Sequence, residues 1–487
     1  MMFLQDILKN VKLKFKCFGA QNPEISSLIL DSREANIGTM FFAVKGTSID
    51  GHQFISSVIE KGASAIVCSD LPSELNPNIA YILVEDVQQS LGYLAANFYQ
   101  NPSSKLKLVG ITGTNGKTTV TSILYQLFTS MGFQCGLIST VEYIIGKETF
   151  TSTHTTPNPI KINALMAEMV NKGCTYCFME VSSHSVVQGR INGLIFEGGA
   201  FTNLSHDHLD YHKTFDNYIK AKKGFFDCLP FGSFALTNKD DKNGKVMLQN
   251  TEAAKYTYAL SSVADFTTKI IESDFEGLLL KIDDLEVWFQ LVGKFNAYNL
   301  LCVYGVAFLL GIEKETIVTE LSKQNRVNGR FEVLRSNSGL VAIVDYAHTP
   351  DALLNVLETI NHIRTKNEQL ITVVGCGGNR DQEKRPEMGK IAAQMSNKTI
   401  FTSDNPRNEL AEDIISQMEK GVNPSDYKKV LKIADRKEAI KTACMMSKKG
   451  DIILVAGKGH ETYQEINGIK SPFDDRVILK QIFKEIE

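Results

Sequence analysis

Nothing in the chain approaches the ~20 consecutive apolar residues that a helix needs to cross a bilayer, so no membrane insertion is expected. The stretch MMFLQDILKNVKLKFKCFG interrupts its apolar residues with Asp and Lys and therefore lacks the unbroken core of a signal peptide. An excess of one charge is also missing. The formal net charge of -3 over 487 residues offers no basic field to attract nucleic acid or anionic lipid. Any anionic ligand must then be held by local groups, which points to a small-molecule site. Nine scattered cysteines do not form a disulfide framework and fit reduced thiols in a cytoplasmic protein. The one Cys-x-x-Cys, Cys174 to Cys177 in CTYCFMEV, sits in a strand-like run. A three-residue offset in a strand sends the two sulfurs to opposite faces, which favours a core role over metal or redox chemistry. Internal repeats and low-complexity segments are absent.

What is present is an ordinary globular composition, with 43% hydrophobic and 22% charged residues, long enough for roughly three domains. Strand-like runs alternate with helical patterns, as in SAIVCSD, KLKLVGIT, LVAIVDYAH, LITVVGCGG and DIILVAGKG. Most end in small, polar or glycine residues followed by a helical segment. This is the pattern of parallel α/β domains, whose ligands sit at the carboxyl ends of strands. Polar YQNPSSKLK (Tyr99 to Lys107) marks a first boundary, and NGRFEVL (Asn328 to Leu334) a second, where a helix-rich region gives way to new strands. The expected division is 1–103, 104–333 and 334–487, with a central P-loop-type parallel-sheet domain and a C-terminal Rossmann-like α/β domain.

The apolar run KLKLVGIT leads into GITGTNGKTT, and TTVTSILYQLF continues at helical spacing. A standard P-loop has Gly, four residues, then Gly-Lys-Ser/Thr; counting back from Gly116 and Lys117 puts Ile111 at the first position. Backbone N–H groups at a helix N-terminus still favour a polyphosphate, Lys117 can reach its outer phosphates, and Thr118 can offer a hydroxyl to Mg²⁺. A plain glycine turn is the bland alternative; strand, Gly-Lys-Thr-Thr and helix together argue against it.

Anionic oxygens are needed nearby. CFMEVSSH delivers Glu180 after an apolar run, and GAFTNLSHDHLDYH delivers His206, Asp207, His208, Asp210 and His212. Such density favours a functional cluster over a solvated loop, although the spacing alone names no metal ligand. Lys222 follows in YIKAKKGFFD, and composition alone makes it a solvated lysine on a helix.

Together and in this order, these segments resemble the Mur ligase family, ATP-dependent amide-bond ligases of peptidoglycan synthesis. Members carry a TGTNGKTT loop with the same departure from the common P-loop. The resemblance spans essentially the whole chain, because LDSREANIGTMFFAVKGTSIDGH, VDYAHTPD, GCGGNRDQEKRPEMG, DNPR and AGKGHE also match. It is strongest to the branch that adds the third residue of the stem peptide. The resemblance implies an N-terminal domain (1–103) for the UDP-precursor, a central ATP-binding domain and a C-terminal amino-acid-binding domain. It implies ATP contacts at Gly113, Thr114, Asn115, Gly116, Lys117, Thr118 and Thr119, and at Asn296, Asn299, Arg330 and Asp345. Glu180 and His208 join Thr118 at the Mg²⁺ site, and Lys222 matches a carbamylated lysine, which reverses its surface reading. Ser32, Arg33, Thr155, Thr156, Ser182, Gln188 and Arg190 match contacts to UDP-N-acetylmuramoyl-L-alanyl-D-glutamate.

DNPR, with Asp404, Asn405, Pro406 and Arg407, goes in the family with meso-2,6-diaminopimelate; lysine-adding relatives depart at the arginine. Diaminopimelate carries a carboxylate that Arg407 can grip in a bidentate fork, and lysine does not. Glu461 matches the group holding the distal ammonium, with Arg380 on the other carboxylate and Gly457 beside them. A polar Asn-Pro turn is the plain alternative for DNPR. Other functions to weigh are an L-lysine-adding ligase, a folylpolyglutamate synthetase, which the LDSREANIGTMFFAVKG segment disfavours, and a regulatory ATPase that senses nucleotide without ligation. A monomer is the expected state.

Overall fold

Three β-sheets organise the computed structural model, which describes every residue except 47–48, 153, 325–326 and 487. Thr47 and Ser48 of the long N-terminal motif thus lie outside the described residues. The first sheet has five strands in the order 15–19, 80–84, 65–68, 39–42, 27–29, all parallel except the first pair. Apolar clusters cover both of its faces.

The second sheet has eleven strands. Its parallel body runs 135–138, 176–180, 107–112, 198–201, 234–238, 254–259, 266–273. Antiparallel hairpins extend each edge, 142–151 on one side and 278–289 on the other. The strand Lys107–Thr112 lies at the middle, and the chain leaves it on both sides, so its carboxyl end opens on a crevice where ligands of α/β sheets collect. The third sheet has six strands in the order 332–335, 341–345, 452–456, 370–374, 398–401, 430–432, antiparallel only at its first pair. Strands buried on both faces explain why the quoted runs are continuously apolar rather than alternating.

The period of two shows inside the central sheet. Tyr176 and Phe178 pack into one apolar layer, and Cys177 and Met179 into the other. The expectation that Cys174 and Cys177 face opposite ways is corrected here. Cys174 precedes the strand Tyr176–Glu180, so alternation does not govern it, and both sulfurs enter the same layer as free thiols. In the third sheet a fully buried ion pair, Arg436 with Asp475, sits behind the strand ends. Arg436 also donates to the carbonyls of Ser403 and Ala456 and so ties the loop after strand 398–401 to the end of strand 452–456, across the strand 370–374 that lies between them. Among the described residues no helix is long and apolar enough to cross a membrane.

Candidate active site

A cleft of about 1490 Å³ is lined by residues at the carboxyl ends of strands in the central and C-terminal sheets. The phosphate loop forms one wall. Gly113 and Gly116 have φ of 151° and 87°; a Cβ would collide with Thr202 Oγ1 at the first and with Asn299 Oδ1 at the second, so both glycines are required by contact as well as conformation. The helix Lys117–Ser130 then starts with its free N–H groups at the loop. Lys117 Nζ donates to the carbonyls of Gly113 (2.9 Å) and Thr114 (2.8 Å). Burial lowers its pKa, while Glu180 and Asp207 oppose that shift.

Thr118 Oγ1 donates to Glu180 Oε1 at 2.9 Å and accepts from Arg330 Nη2 at 3.0 Å. Glu180 also takes the backbone N–H and hydroxyl of Thr140. Arg330 lies over the Tyr346 ring, 4.5 Å from its centroid, and its buried Nε has no partner among the described residues. A spare guanidinium N–H beside a phosphate loop is a ready donor to anionic oxygen. Asn299 lines the cleft, whereas Asn296 lies behind it and holds Asn299 through Oδ1. Asp345 accepts the N–H of Phe331 at 2.7 Å; burial raises its carboxyl, with Arg330 opposing. Thr119 lines the same wall, Thr114 bonds Tyr218, and Asn115 reaches Asp351 of the C-terminal domain at 2.8 Å.

Lys222 is not on the surface: it is only 1% exposed, and its Nζ donates to Gly113 O at 2.7 Å. The helix Phe215–Asp227 buries Tyr218, Ala221, Lys222, Phe225 and Phe226, a stripe at helical spacing that carries the lysine inward. Burial, reinforced by Lys117, drives its pKa well below the ordinary lysine value.

The histidine-rich segment divides. Asp207, His208 and Asp210 line the cleft; His208 has a left-handed φ of 56°, with Nε2 3.3 Å from Asp207 Oδ2. Burial pushes His208 down to about 3, against the pull of Asp207. Although burial opposes ionisation of Asp207, His208, Lys384 and His348 hold its carboxyl below the usual range. His212 turns away to Ser183 Oγ at 2.9 Å, and His206 Nε2 lies 3.5 Å from Asp381 of the C-terminal domain.

On the opposite wall Arg407 has a left-handed φ of 53°. Its backbone is held on both sides by the hairpin Tyr463–Pro472: its N–H donates to Glu465 O, and its carbonyl accepts from Asn467 N–H. Arg407 Nη1 donates to Gly378 O at 2.7 Å, and Nε lies 3.8 Å from Glu465 Oε2. Arg380, Asp404, Asn405, Gly457 and Glu461 line the cleft with it, while Pro406 is buried beneath.

The positions matched to the UDP-precursor are more dispersed. Thr155 and Ser182 line the cleft, and Thr156 Oγ1 donates to Glu180 O. Arg190 binds Gln188 Oε1 and Thr156 O just outside it. Ser32 and Arg33 lie on the N-terminal domain away from the cleft lining, with Arg33 exposed and paired to Asp31. Sequence reasoning missed Asp351, His348, Lys384 and Lys458. All four stand inside quoted motifs, His348 and Asp351 in VDYAHTPD, Lys384 in GCGGNRDQEKRPEMG and Lys458 in AGKGHE, which was the available signal.

Comparison with known proteins agrees in every third of the chain. Residues 24–99 match the model of the Mur ligase family catalytic domain, 111–307 the Mur ligase middle domain, and 329–459 the Mur ligase glutamate ligase domain. A UDP-N-acetylmuramoyl-L-alanyl-D-glutamate–2,6-diaminopimelate ligase from Cytophaga hutchinsonii is 56% identical over 99% of both chains, and one from Bacteroides fragilis is 54% identical over the same shares. A solved structure of a ligase of that name is 31% identical, with a TM-score of 0.69 over 100% of this chain and 99% of its own. On these matches, and on the loop, acidic partners and opposed arginine wall that they accompany, the chain belongs to the Mur ligase family.

Proposed function

We propose that this chain is an ATP-dependent ligase that joins meso-2,6-diaminopimelate to the D-glutamate side-chain carboxyl of UDP-N-acetylmuramoyl-L-alanyl-D-glutamate, in the cytoplasm. The observation that carries the reading is one cleft holding both the phosphate loop and a backbone-locked Arg407 beside Glu461. The domains divide the work as precursor binding (1–103), ATP binding (104–333) and amino-acid binding (334–487).

A carboxylate does not acylate an amine directly, because its oxygen is a poor leaving group. Transfer of the γ-phosphoryl group to the D-glutamate carboxylate gives an acyl phosphate and ADP. The neutral amine of diaminopimelate then attacks the acyl carbon, and the tetrahedral intermediate expels phosphate as the amine gives up its proton. Lys117 and Arg330 offset charge on the phosphates, and no protein nucleophile is required. Glu461 takes the distal ammonium, Arg407 the distal carboxylate and Arg380 the other carboxylate. Ser32, Arg33, Thr155, Thr156, Ser182, Gln188 and Arg190 serve the precursor.

Among the described residues no three His, Cys, Asp or Glu side chains converge on a metal position. Mg²⁺ does not require such a cage, since it takes one or two protein oxygens and fills its shell from phosphate and water. Thr118 and Glu180, 2.9 Å apart at the helix N-terminus, suit that need, with His208 nearby. When bound, Mg²⁺ supplies charge neutralisation at the transferred phosphoryl group. Lys222 completes the set as a carbamate: its neutral amine forms an N–C bond to CO₂, releases one proton and becomes an anion. The buried amine with its depressed pKa supports that step. Lys222→Ala is expected to lose about 10²-fold in rate and to ignore bicarbonate, whereas the wild type slows when CO₂ is removed. An active wild type indifferent to bicarbonate, with an unmodified Lys222 by intact mass, would sink the carbamate.

Phosphate release with ATP, Mg²⁺ and the UDP-muramoyl dipeptide tests the whole reading. Release and a tripeptide product of the right mass are expected with meso-diaminopimelate and not with L-lysine. A lysine preference would keep the ligase and overturn the specificity; turnover without either amino acid would restore the regulatory ATPase.

A further inference from the structure

Lys458 stands between Gly457 and Glu461, yet the chemistry above does not use it. Its side chain is completely buried, and Nζ donates to Asn405 Oδ1 at 3.0 Å and to Glu461 Oε2 at 3.1 Å, with Asp404 Oδ1 3.8 Å away. Taking an ammonium out of water costs several kcal/mol unless charged and polar partners surround it, so this lysine is held for its charge and not as a solvated surface group. Asn405 closes the triangle by donating from Nδ2 to Glu461 Oε2 at 2.7 Å. Its Oδ1 also accepts the N–H of Glu465. Two donors at Oδ1 and a carboxylate at Nδ2 therefore determine the amide's orientation. Both bonds to Glu461 go to Oε2, which leaves Oε1 to accept from a ligand.

We propose that Lys458 is a positioning residue of the amino-acid subsite, aligning Asn405 and Glu461 so that Glu461 presents its free oxygen to the ammonium of the incoming diamino acid. This rests on the ligase reading above. Facing Glu461 are Asp404 and Lys458, the Arg436 guanidinium behind the loop, and the phenols of Tyr346 and Tyr463. Burial pushes the Glu461 carboxyl up, Asp404 pushes the same way, and Lys458 opposes both. Without the lysine charge, Glu461 takes up a proton at higher pH and the subsite loses its anion earlier on acidification.

The test is steady-state phosphate release by full-length Lys458→Met, with each substrate varied in turn at saturating levels of the other two, and diaminopimelate varied across the neutral range. KM for diaminopimelate should rise about tenfold or more with KM for ATP unchanged, and the acid limb of kcat/KM for diaminopimelate should move to higher pH. Lys458→Gln, which keeps a donor without the charge, should show the same pH shift and provides the readout if the methionine variant does not fold. An unshifted pH profile, or KM values that rise together for all three substrates, overturns the proposal. A wild type that turns over no amino acid sinks the ligase reading itself, whereas an active wild type with unshifted variants sinks only the role of Lys458.

Discussion

Lys117→Met is expected to lower kcat by about 10²–10³-fold, the range for loss of one preorganised group facing developing charge in a closed site. Methionine keeps the stem volume but removes the cation whose two loop bonds, to Gly113 O and Thr114 O, aim it from the helix N-terminus. The neighbouring amine cannot substitute: burial drives Lys222 toward its neutral form, and its Nζ is bound to the same Gly113 carbonyl. The loss should fall on kcat at saturating ATP, because charge builds up in the transferred phosphoryl group more than in bound ATP. Phosphate release, read beside an unchanged thermal midpoint, measures it. A variant within about threefold of wild type would remove Lys117 from the chemistry.

Arg407→Lys should lower kcat/KM for meso-diaminopimelate by about 10²-fold or more and erase most of its advantage over L-lysine. Lysine keeps the charge but not the planar fork that takes a carboxylate through two parallel bonds. A site built around such a pair rejects the analogue lacking it by roughly 10⁴, because the guanidinium is then left without its anion. Here the backbone at φ 53°, bonded on both sides to the hairpin Tyr463–Pro472, keeps the fork from following a smaller ligand. Competition between the two amino acids for one pool of UDP-dipeptide, scored by product mass, is the direct measurement. An undiminished preference for diaminopimelate would overturn the role of Arg407 in selectivity.

Local pattern made much of the framework legible. The apolar runs ending in 112, 180, 345, 374 and 456 are strands, each followed by a loop that enters the cleft, because a fully buried parallel strand has a strong local signature. The antiparallel edges 142–151 and 278–289 were not anticipated: they are short, half-exposed and carry no signal beyond alternation. Lys222 shows the limit most clearly. A lysine on a helix reads as solvated until the helix's inward stripe is known to include it.

Apart from Arg407 and Glu461, which the family resemblance supplied, the sequence by itself determined the α/β class, the glycine loop with its lysine and threonine, and Glu180 at a strand end. These follow from short-range rules of burial, turn chemistry and helix starts. Only the tertiary structure decided which of them meet. It set Thr118 against Glu180 and Arg330, placed Lys222 beside Gly113 O, bonded His212 to the back of the cleft at Ser183 without adding it to the lining, and left Ser32 and Arg33 on a separate domain. It also buried Lys458 among Asp404, Asn405 and Glu461. The reason is physical: a side chain's charge state and partners depend on burial and on neighbours far away in the chain, and neither is written in the residues beside it.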